Sequence, residues 1–232
     1  MSRTILVTGA NRGIGRELTR RLIADGDTVI ALGRDAAALA ELECRTVVAD
    51  LSRPETLAGA VASIDHLDAL VHNAGIAEVG PVSELGLDVW QRHLTVNVAA
   101  PAELTRVLLP ALRAAHGHVV FVNSGVGLSA GALWSAYGAS KHALKALADA
   151  LRAEEKPNQV RVSTVYPGQV ATDMQRQLKE SMGAPYDPAR VMSAGTAAES
   201  IRYVLNVPDE ATVHDLRIAP SDVVPHATTM RR

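Results

Sequence analysis

The stretch that decides the fold is Thr8-Gly9-Ala10-Asn11-Arg12-Gly13-Ile14-Gly15. It directly follows an apolar run at residues 4–7, and a helix-like stretch at residues 13–25 begins within it. Glycines permit positive φ and let the backbone approach a pyrophosphate, while a helix amino terminus supplies unpaired N–H groups and a favourable dipole. The order of strand, glycine turn and helix therefore predicts a dinucleotide phosphate site, although a purely structural turn can give the same pattern.

The rest of the chain repeats this alternation of strand and helix. Strand-sized apolar runs lie at residues 4–7, 28–32, 46–49, 69–72, 119–123, 161–166 and 216–219. Stretches with helical spacing lie at residues 13–25, 35–42, 54–62, 88–114, 135–155 and 195–205. Apolar strands separated by helices indicate βαβ units and a sheet covered on both faces. The sequence predicts an α/β fold, a Rossmann-type doubly wound, mainly parallel sheet of seven strands with helices on both faces.

Residues 168–193 interrupt the alternation. They carry Met174, Leu178, Met182 and Tyr186 among glycine, proline and charged residues. Segments of this kind often border a binding pocket and move. We expect a mobile substrate lid here, within a single domain that spans residues 1–232.

Composition limits the kinds of partner. Of the 232 residues, 47% are apolar and 21% are charged, with a formal net charge of -2, so the basic footprint of nucleic-acid or membrane-surface binding is missing. Cys44 is the only cysteine and cannot form an internal disulfide, as in most cytosolic proteins. There is no room for a signal peptide before the first strand, and no apolar run approaches ~18 residues. We expect a cytoplasmic protein that binds a small molecule, and neither nucleic acid nor a membrane.

Three side chains are candidates for catalysis. Tyr137 and Lys141 lie four residues apart in the stretch 135–155, so they share one helix face. A free tyrosine has a pKa near ~10, and we expect the neighbouring Lys141 cation to lower the pKa of Tyr137 toward the working range. Ser124 follows the strand at 119–123, at the edge where open α/β sheets bind ligands, and its hydroxyl could hold a carbonyl oxygen. Taken alone, the tyrosine and lysine also fit a surface tyrosine that packs along a lysine stem.

Together these motifs resemble the short-chain dehydrogenase/reductase family, in its carbonyl- and alcohol-reducing subgroup. The three-residue gap between Gly9 and Gly13, with Thr8 in front, is similar to that family's glycine turn, and Ser124, Tyr137 and Lys141 match its catalytic triad. By this resemblance Tyr137 exchanges the proton, Ser124 positions the substrate oxygen, and Lys141 binds the nicotinamide ribose.

Asn97 matches the fourth member of the family's catalytic set. The resemblance implies that it anchors a water in the proton relay. An asparagine inside a helix can instead hydrogen-bond across a kink, and this alternative stays open.

The resemblance extends to the remaining cofactor contacts, from about residue 5 to residue 219. Asp50-Leu51 is similar to the adenine contact, Asn73-Ala74-Gly75 to the family's Asn-Ala-Gly turn, and the segment after the sixth strand to the contact with the nicotinamide carboxamide. The expected cofactor-binding residues are Gly9, Asn11, Arg12, Gly13, Ile14, Gly15, Arg34, Asp50, Leu51, Asn73, Ala74, Gly75, Tyr137, Lys141, Pro167, Gly168, Val170 and Thr172.

The end of the second strand indicates which nicotinamide cofactor is used. A carboxylate there accepts hydrogen bonds from the ribose of NAD, whereas an arginine accommodates the 2′-phosphate of NADP. Here Gly33 is followed by Arg34, and Arg12 adds a second cation from the glycine turn. Asp35 is better explained as the N-cap of the next helix. The sequence predicts a preference for NADP(H) over NAD(H).

Two other functions remain open beside that of an NADP-dependent oxidoreductase acting on a ketone, an aldehyde or a secondary alcohol. A non-catalytic dinucleotide sensor would keep the glycine turn while losing Tyr137 or Lys141, and both are present. A scaffold would associate through the long helices at 88–114 and 135–155. The family commonly pairs these helices between subunits, so we expect a homodimer or homotetramer.

The histidines do not suggest a metal site. They lack a compact set with cysteine or carboxylate at ligand spacing. We expect His116-Gly117-His118 to lie in a solvated turn. Trp134 and Tyr186 could line the substrate pocket, but core packing or a subunit contact explains them equally well. The eight histidines are His66, His72, His93, His116, His118, His142, His214 and His226.

Overall fold

The computed structural model describes residues 2–221. Its strands are β1 (Thr4–Thr8), β2 (Thr28–Gly33), β3 (Arg45–Val48), β4 (Ala69–His72), β5 (His118–Val122), β6 (Arg161–Pro167) and β7 (Asp215–Ile218). Its helices are α1 (Gly13–Ala24), α2 (Ala36–Ala40), α3 (Leu57–Ala60), α4 (Leu87–Leu94), α5 (Ala100–Ala114), α6 (Ser135–Glu155), α7 (Asp173–Ser181) and α8 (Ala194–Leu205).

The seven strands form one parallel sheet in the order β3-β2-β1-β4-β5-β6-β7. The chain builds outward from β1 in one direction through β3 and then returns to add β4 on the other side of β1. The resulting switch point lies between β1 and β4, and ligands of such sheets bind at the carboxyl ends of the strands there. The predicted doubly wound, seven-stranded Rossmann-type fold is confirmed, and every strand pairing is parallel.

Two apolar cores lie on opposite faces of the sheet because successive strand residues point in opposite directions. In β1, Leu6 packs with residues of α3, α5 and α6, while Ile5 and Val7 pack with residues of α1, α2 and α8. The same alternation in β5 sends Phe121 to the first core and Val120 to the second. Burial of both faces explains why the strands read as nearly continuous apolar runs.

Two of the predicted helices are divided in the structure. The stretch 88–114 forms α4 and α5, joined by a π-helical turn at Thr95–Ala99. Such turns are frequent at functional sites. The stretch 54–62 forms a 3-10 turn at Pro54–Thr56 followed by the single turn of α3.

The predicted lid segment at 168–193 contains a helix that the sequence analysis did not predict. Thr172 caps α7, since its hydroxyl accepts a hydrogen bond from the Gln175 N–H. The base of the segment is closed by two backbone hydrogen bonds, from Ala171 N to Met192 O at 2.7 Å and from Met192 N to Gln169 O at 3.0 Å. The many polar residues of this segment made a loop the expected structure. It instead contains a capped amphipathic helix, and backbone hydrogen bonds join the two ends of the segment.

The prediction that His116, Gly117 and His118 lie together in a solvated turn was wrong for His118. His116 is exposed with a positive φ of 47°, but His118 is the first residue of β5 and is buried. One His118 ring nitrogen, Nε2, hydrogen-bonds the Ser163 hydroxyl at 2.8 Å. A buried polar partner therefore makes a histidine acceptable at a core strand position.

Within residues 2–221, no helix combines the length and the apolar character needed to cross a membrane.

Candidate active site

The carboxyl ends of the strands surround a cleft of about 1160 Å³. Most of the residues that the sequence predicted for the site line this cleft. They are Gly9, Asn11, Arg12, Gly13, Ile14, Arg34, Asp50, Leu51, Asn73, Ala74, Gly75, Ser124, Tyr137, Lys141, Pro167, Gly168, Val170 and Thr172. Two predicted residues do not line it, because Gly15 and Asn97 are packed behind its wall.

The glycine turn has the backbone shape that only glycine permits at low cost. Gly9 and Gly13 have φ values of 64° and 54°. A Cβ added to Gly15 would lie 2.2 Å from the Gly9 carbonyl oxygen, so α1 can approach β1 only because residue 15 is glycine. The first turn of α1 has no side-chain cap, which leaves N–H groups at its start available to an anion. The turn therefore fits a dinucleotide pyrophosphate.

The Asn73 turn is fastened directly to the glycine turn. The Thr8 hydroxyl accepts hydrogen bonds from the backbone N–H groups of Asn73 and Ala74, both at 3.0 Å. The Asn73 side chain returns a hydrogen bond to the Thr8 carbonyl oxygen at 2.9 Å. These contacts hold the two walls of the cleft at the switch point between β1 and β4.

The end of the cleft that lies at the carboxyl end of β2 carries two cations. Arg12 and Arg34 are exposed and line the cleft, and neither side chain makes a hydrogen bond or ion pair with another part of residues 2–221. The Asp35 carboxylate accepts a hydrogen bond from the Ala38 N–H at 3.0 Å and caps α2, as predicted. Asp50 lies nearby, and the Ser52 backbone N–H holds the pKa of its carboxyl below the usual range.

Tyr137 and Lys141 project from the first half of α6, one turn apart. Both are buried, and the Lys141 Nζ lies 5.9 Å from the centroid of the Tyr137 ring. Burial lowers the pKa of Lys141 to about 8, and its ammonium donates a hydrogen bond to the Val122 carbonyl oxygen at 3.1 Å. Lys141 therefore loses its positive charge at a lower pH than an exposed lysine does.

The predicted lowering of the tyrosine pKa is not what the structure gives. Burial raises the pKa of Tyr137, because removal from water disfavours the phenolate. The Ser124 hydroxyl lies close enough to the phenol to oppose part of this rise. Burial therefore favours the protonated phenol of Tyr137 in this structure.

Ser124 lies two residues after the end of β5, because the strand ends at Val122, one residue earlier than predicted. Its extended backbone begins the short 3-10 turn Gly125–Gly127, and its hydroxyl accepts a hydrogen bond from the Val126 N–H at 3.3 Å. It faces the same cleft as Tyr137.

Asn97 lies in the π turn, and its side chain is engaged by the protein. Its Oδ1 accepts a hydrogen bond from the Ile76 N–H, and its Nδ2 donates to the Ile76 carbonyl oxygen and to the Ser140 hydroxyl, each at 2.9 Å. Asn97 thus connects the backbone of Ile76, directly after the Asn73-Ala74-Gly75 turn, to Ser140 of α6. These contacts hold the cleft wall against α6, and the water anchor stays a prediction.

Two features beside the cleft were not predicted from the sequence. One is His93, which was set aside with the other histidines when a metal site was considered, and which lies four residues before Asn97. The other is α7, which places Met174 and Leu178 against the cleft, together with Met182 directly after its last residue, at i, i+4 and i+8. That spacing was present in the sequence and could have predicted the helix. Of the two aromatic residues left open, Trp134 lines the cleft, whereas Tyr186 stacks on Arg176.

Among the described residues, no group of three or more histidine, cysteine, aspartate or glutamate side chains is placed to hold a metal ion.

Comparisons with known proteins agree with this architecture. A short-chain dehydrogenase of Escherichia coli CFT073, solved as a complex with NADPH, is 31% identical with a TM-score of 0.83, and the match covers 93% of this chain and 95% of that one. An uncharacterized short-chain type dehydrogenase/reductase of Sinorhizobium fredii is 34% identical over 94% of this chain and 92% of its own length. The benzil reductase of Saccharomyces cerevisiae is 35% identical over 79% of this chain and 77% of its own length.

Some relatives are longer proteins. The Bos taurus dehydrogenase/reductase SDR family member 7B is 36% identical over 78% of this chain, but the match spans only 62% of that relative's length. The family model for short chain dehydrogenases matches residues 3–183, which include the glycine turn, the Asn73 turn and the Tyr137 helix. The chain therefore belongs to the short-chain dehydrogenase/reductase family of oxidoreductases.

Proposed function

We propose that this protein is an NADP-dependent oxidoreductase that transfers hydride between nicotinamide and a ketone, an aldehyde or a secondary alcohol. The observation that carries the proposal is that Ser124, Tyr137 and Lys141 share one cleft with the glycine turn. A bound nicotinamide dinucleotide would supply or accept the hydride. Everything else in the reaction is proton transfer and positioning by the side chains of this chain.

Tyr137 gives the proton in carbonyl reduction and takes it in alcohol oxidation. Its raised pKa keeps the phenol protonated at neutral pH, which suits donation to a carbonyl oxygen. Ser124 donates a hydrogen bond to the same oxygen and orients it. The Lys141 ammonium, 5.9 Å from the phenol ring, stabilises negative charge on the tyrosine after the proton has left.

Cofactor preference rests on charge. Arg12 and Arg34 line the proposed ribose end of the cleft, and neither side chain forms a salt bridge among residues 2–221, so both can meet a 2′-phosphate without first breaking one. The Asp35 carboxylate already accepts a hydrogen bond as the cap of α2. The E. coli relative's complex with NADPH supports the same choice.

The substrate end of the cleft is apolar on one side. Met174 and Leu178 of α7 line it, as do Met182 directly after α7 and Trp134 directly before α6. Such a wall suits a carbonyl compound with a hydrophobic body, and the name of the yeast benzil reductase supports a ketone. We propose that residues 168–193 act as a lid over this end.

We also propose a single-domain cytoplasmic enzyme that forms a homodimer or homotetramer, on the sequence grounds given above. An alternative function, a dinucleotide sensor or scaffold without catalysis, would leave the buried Tyr137 and Lys141 without a use.

The test is a panel of ketones, aldehydes and secondary alcohols assayed with NADPH, NADH and their oxidised forms by nicotinamide absorbance. We expect turnover of at least one hydrophobic ketone or aldehyde, with a higher kcat/KM for NADPH than for NADH. Dinucleotide binding without turnover of any compound would favour the sensor.

A further inference from the structure

His93 is a buried histidine beside the catalytic tyrosine. It lies in α4 with 0% of its surface exposed and does not line the cleft. It is four residues before Asn97, so both side chains leave the same face of one helical segment. Buried polar groups are usually hydrogen-bonded, and both ring nitrogens of His93 have partners inside the protein.

The two hydrogen bonds of His93 define its protonation. Its Nε2 accepts from the Glu78 backbone N–H at 3.0 Å, which requires a lone pair on that nitrogen. Its Nδ1 faces the Val89 carbonyl oxygen at 2.8 Å, which requires a proton there. The ring is therefore the neutral tautomer with the proton on Nδ1, and it has no free proton to give to a substrate.

His93 and Asn97 together fasten one stretch of backbone. Asn97 takes both polar groups of Ile76, and His93 takes the N–H of Glu78 two residues later. This stretch continues the Asn73-Ala74-Gly75 turn that forms a wall of the cleft. A Cβ on Gly75 would lie 3.2 Å from Asn97 Oδ1 and 3.6 Å from Lys141 Nζ, so the wall runs close to the catalytic lysine.

The same imidazole touches the catalytic helix. Its ring meets the Tyr137 ring edge-on, with centroids 6.3 Å apart and planes at 71°. Trp134 provides a second aromatic contact to Tyr137, at 5.9 Å and 51°. Asn97, four residues after His93, also contacts α6, because its side chain donates a hydrogen bond to the Ser140 hydroxyl.

We infer that His93 is a positioning residue for this reaction. It holds the cleft wall at Glu78 and at the same time sets the orientation of the Tyr137 ring, so that the phenol meets the substrate oxygen. The inference rests on the proposed function, because it concerns the proton donor of that reaction.

The test compares two variants of His93 with a matched control. His93→Leu removes both the acceptor and the ring, while His93→Gln keeps an amide oxygen that can accept from the Glu78 N–H. His118→Leu is the control, because His118 is also a buried histidine with one side-chain hydrogen bond, but it lies at the opposite end of β5 from Ser124. Turnover is divided by the number of NADPH sites titrated by fluorescence, so that unfolded protein does not count.

We expect His93→Leu to lower turnover per bound NADPH by about 10- to 100-fold, the usual effect of misplacing a reacting group by about 1 Å. NADPH affinity should change by less than about threefold, because His93 does not reach the cofactor cleft. His93→Gln should recover much of the loss, and His118→Leu should lose thermal stability while keeping its turnover per site. If the leucine variant does not fold, His93→Phe, which removes the acceptor and keeps a ring, replaces it.

Hydrogen exchange gives a readout that does not depend on activity. Exchange at the Glu78 amide should accelerate by about tenfold or more in His93→Leu and stay near the wild-type rate in His93→Gln and His118→Leu. Equal turnover per site in His93→Leu and the wild type would overturn the inference, as would no recovery in His93→Gln when its Glu78 amide is still protected. A wild-type protein that turns over no substrate would instead overturn the proposed function, and the role of His93 with it.

Discussion

At the scale of single residues, the adjacent and oppositely charged Arg34 and Asp35 differ in their contacts. Arg34 and Asp35 both line the cleft at the end of β2, but Asp35 is held by its cap to Ala38 and Arg34 has no ion pair among residues 2–221. Sequence alone was enough to separate them, because an aspartate directly before a helix is a common N-cap. The structure adds that the arginine is unpaired.

The first prediction follows from this difference. Arg34→Ala should weaken NADPH binding by about 10- to 150-fold, since a charge-assisted hydrogen bond contributes roughly 1.5 to 3 kcal/mol, and should change NADH binding little. Adding Arg12→Ala should reduce the preference further. The measurement is kcat/KM for both cofactors, with Arg106→Ala as a control because that arginine pairs with Glu103 away from the cleft. If neither substitution changed the ratio of kcat/KM for NADPH to kcat/KM for NADH, the assignment of Arg12 and Arg34 to the 2′-phosphate would be contradicted.

The second prediction concerns Lys141. Its burial lowers its pKa to about 8, so the free protein loses this positive charge as pH rises through about 8. A dinucleotide carries negative charge, and kcat/KM for NADPH reports the ionisation of the free enzyme. We expect kcat/KM for NADPH to fall above pH 8. In Lys141→Ala, cofactor affinity and turnover should both be lower and this alkaline limb should disappear; a limb that persists there would assign it to another group.

At the scale of elements, the glycine turn gives the third prediction. In Gly15→Ala the new methyl group would stand 2.2 Å from the Gly9 carbonyl oxygen, and backbone must shift to admit it. The free energy of unfolding should fall by about 1–3 kcal/mol and NADPH binding should weaken. Gly59→Ala in α3 is the matched control, because its Cβ would meet nothing within 4 Å. It should leave binding unchanged and raise stability by up to about 1 kcal/mol.

Denaturant titration of the two alanine variants decides this prediction. Equal changes in both proteins would show that close packing of α1 on β1 does not depend on Gly15.

The sequence predicted the elements unevenly, for physical reasons. β4 and α6 were predicted with their observed limits, because a buried parallel strand is mostly apolar and a long helix repeats its apolar face many times. The division of the stretch 88–114 and the helix α7 were not predicted. The π turn depends on contacts of Asn97 with distant residues, which the sequence does not show. The helix α7 was overlooked although its Thr172 cap and its apolar spacing are both local signals.

The site was predicted more completely than the reasons for its geometry. The motifs placed Ser124, Tyr137 and Lys141 together, since each lies at a recognisable point of a strand or helix. The raised pKa of Tyr137 and the role of His93 depend on burial and on contacts between α4, α6 and the 76–78 backbone. No local pattern in the sequence contains that information.

At the scale of the whole molecule, two buried histidines couple stability to pH. Burial lowers the pKa values of His72 and His118 to about 3, from 6.5 in the unfolded chain. Between pH 6.5 and pH 3 the unfolded chain therefore binds two protons that the folded protein does not, and stability falls as pH falls. Above pH 6.5 this effect is absent.

The fourth prediction is that protonation of these histidines in the unfolded chain makes the free energy of unfolding fall as pH falls within that window. The slope is up to about 2.7 kcal/mol per pH unit, at about 1.36 kcal/mol for each histidine. Urea titrations at pH 7, 6 and 5 measure the slope. His118→Gln should reduce the slope by about half of this amount, whatever its effect at pH 7. An unchanged slope would show that His118 binds a proton in the folded protein.

The central claim, that this chain uses Tyr137 to move a proton while hydride passes to or from nicotinamide, is tested most directly by turnover of Tyr137→Phe. The substitution keeps the ring with its Trp134 and His93 contacts and removes the exchangeable proton. With NADPH and a carbonyl substrate of the wild type, we predict that kcat falls by about 10²- to 10⁴-fold while NADPH affinity stays nearly unchanged. Turnover close to that of the wild type would contradict the account.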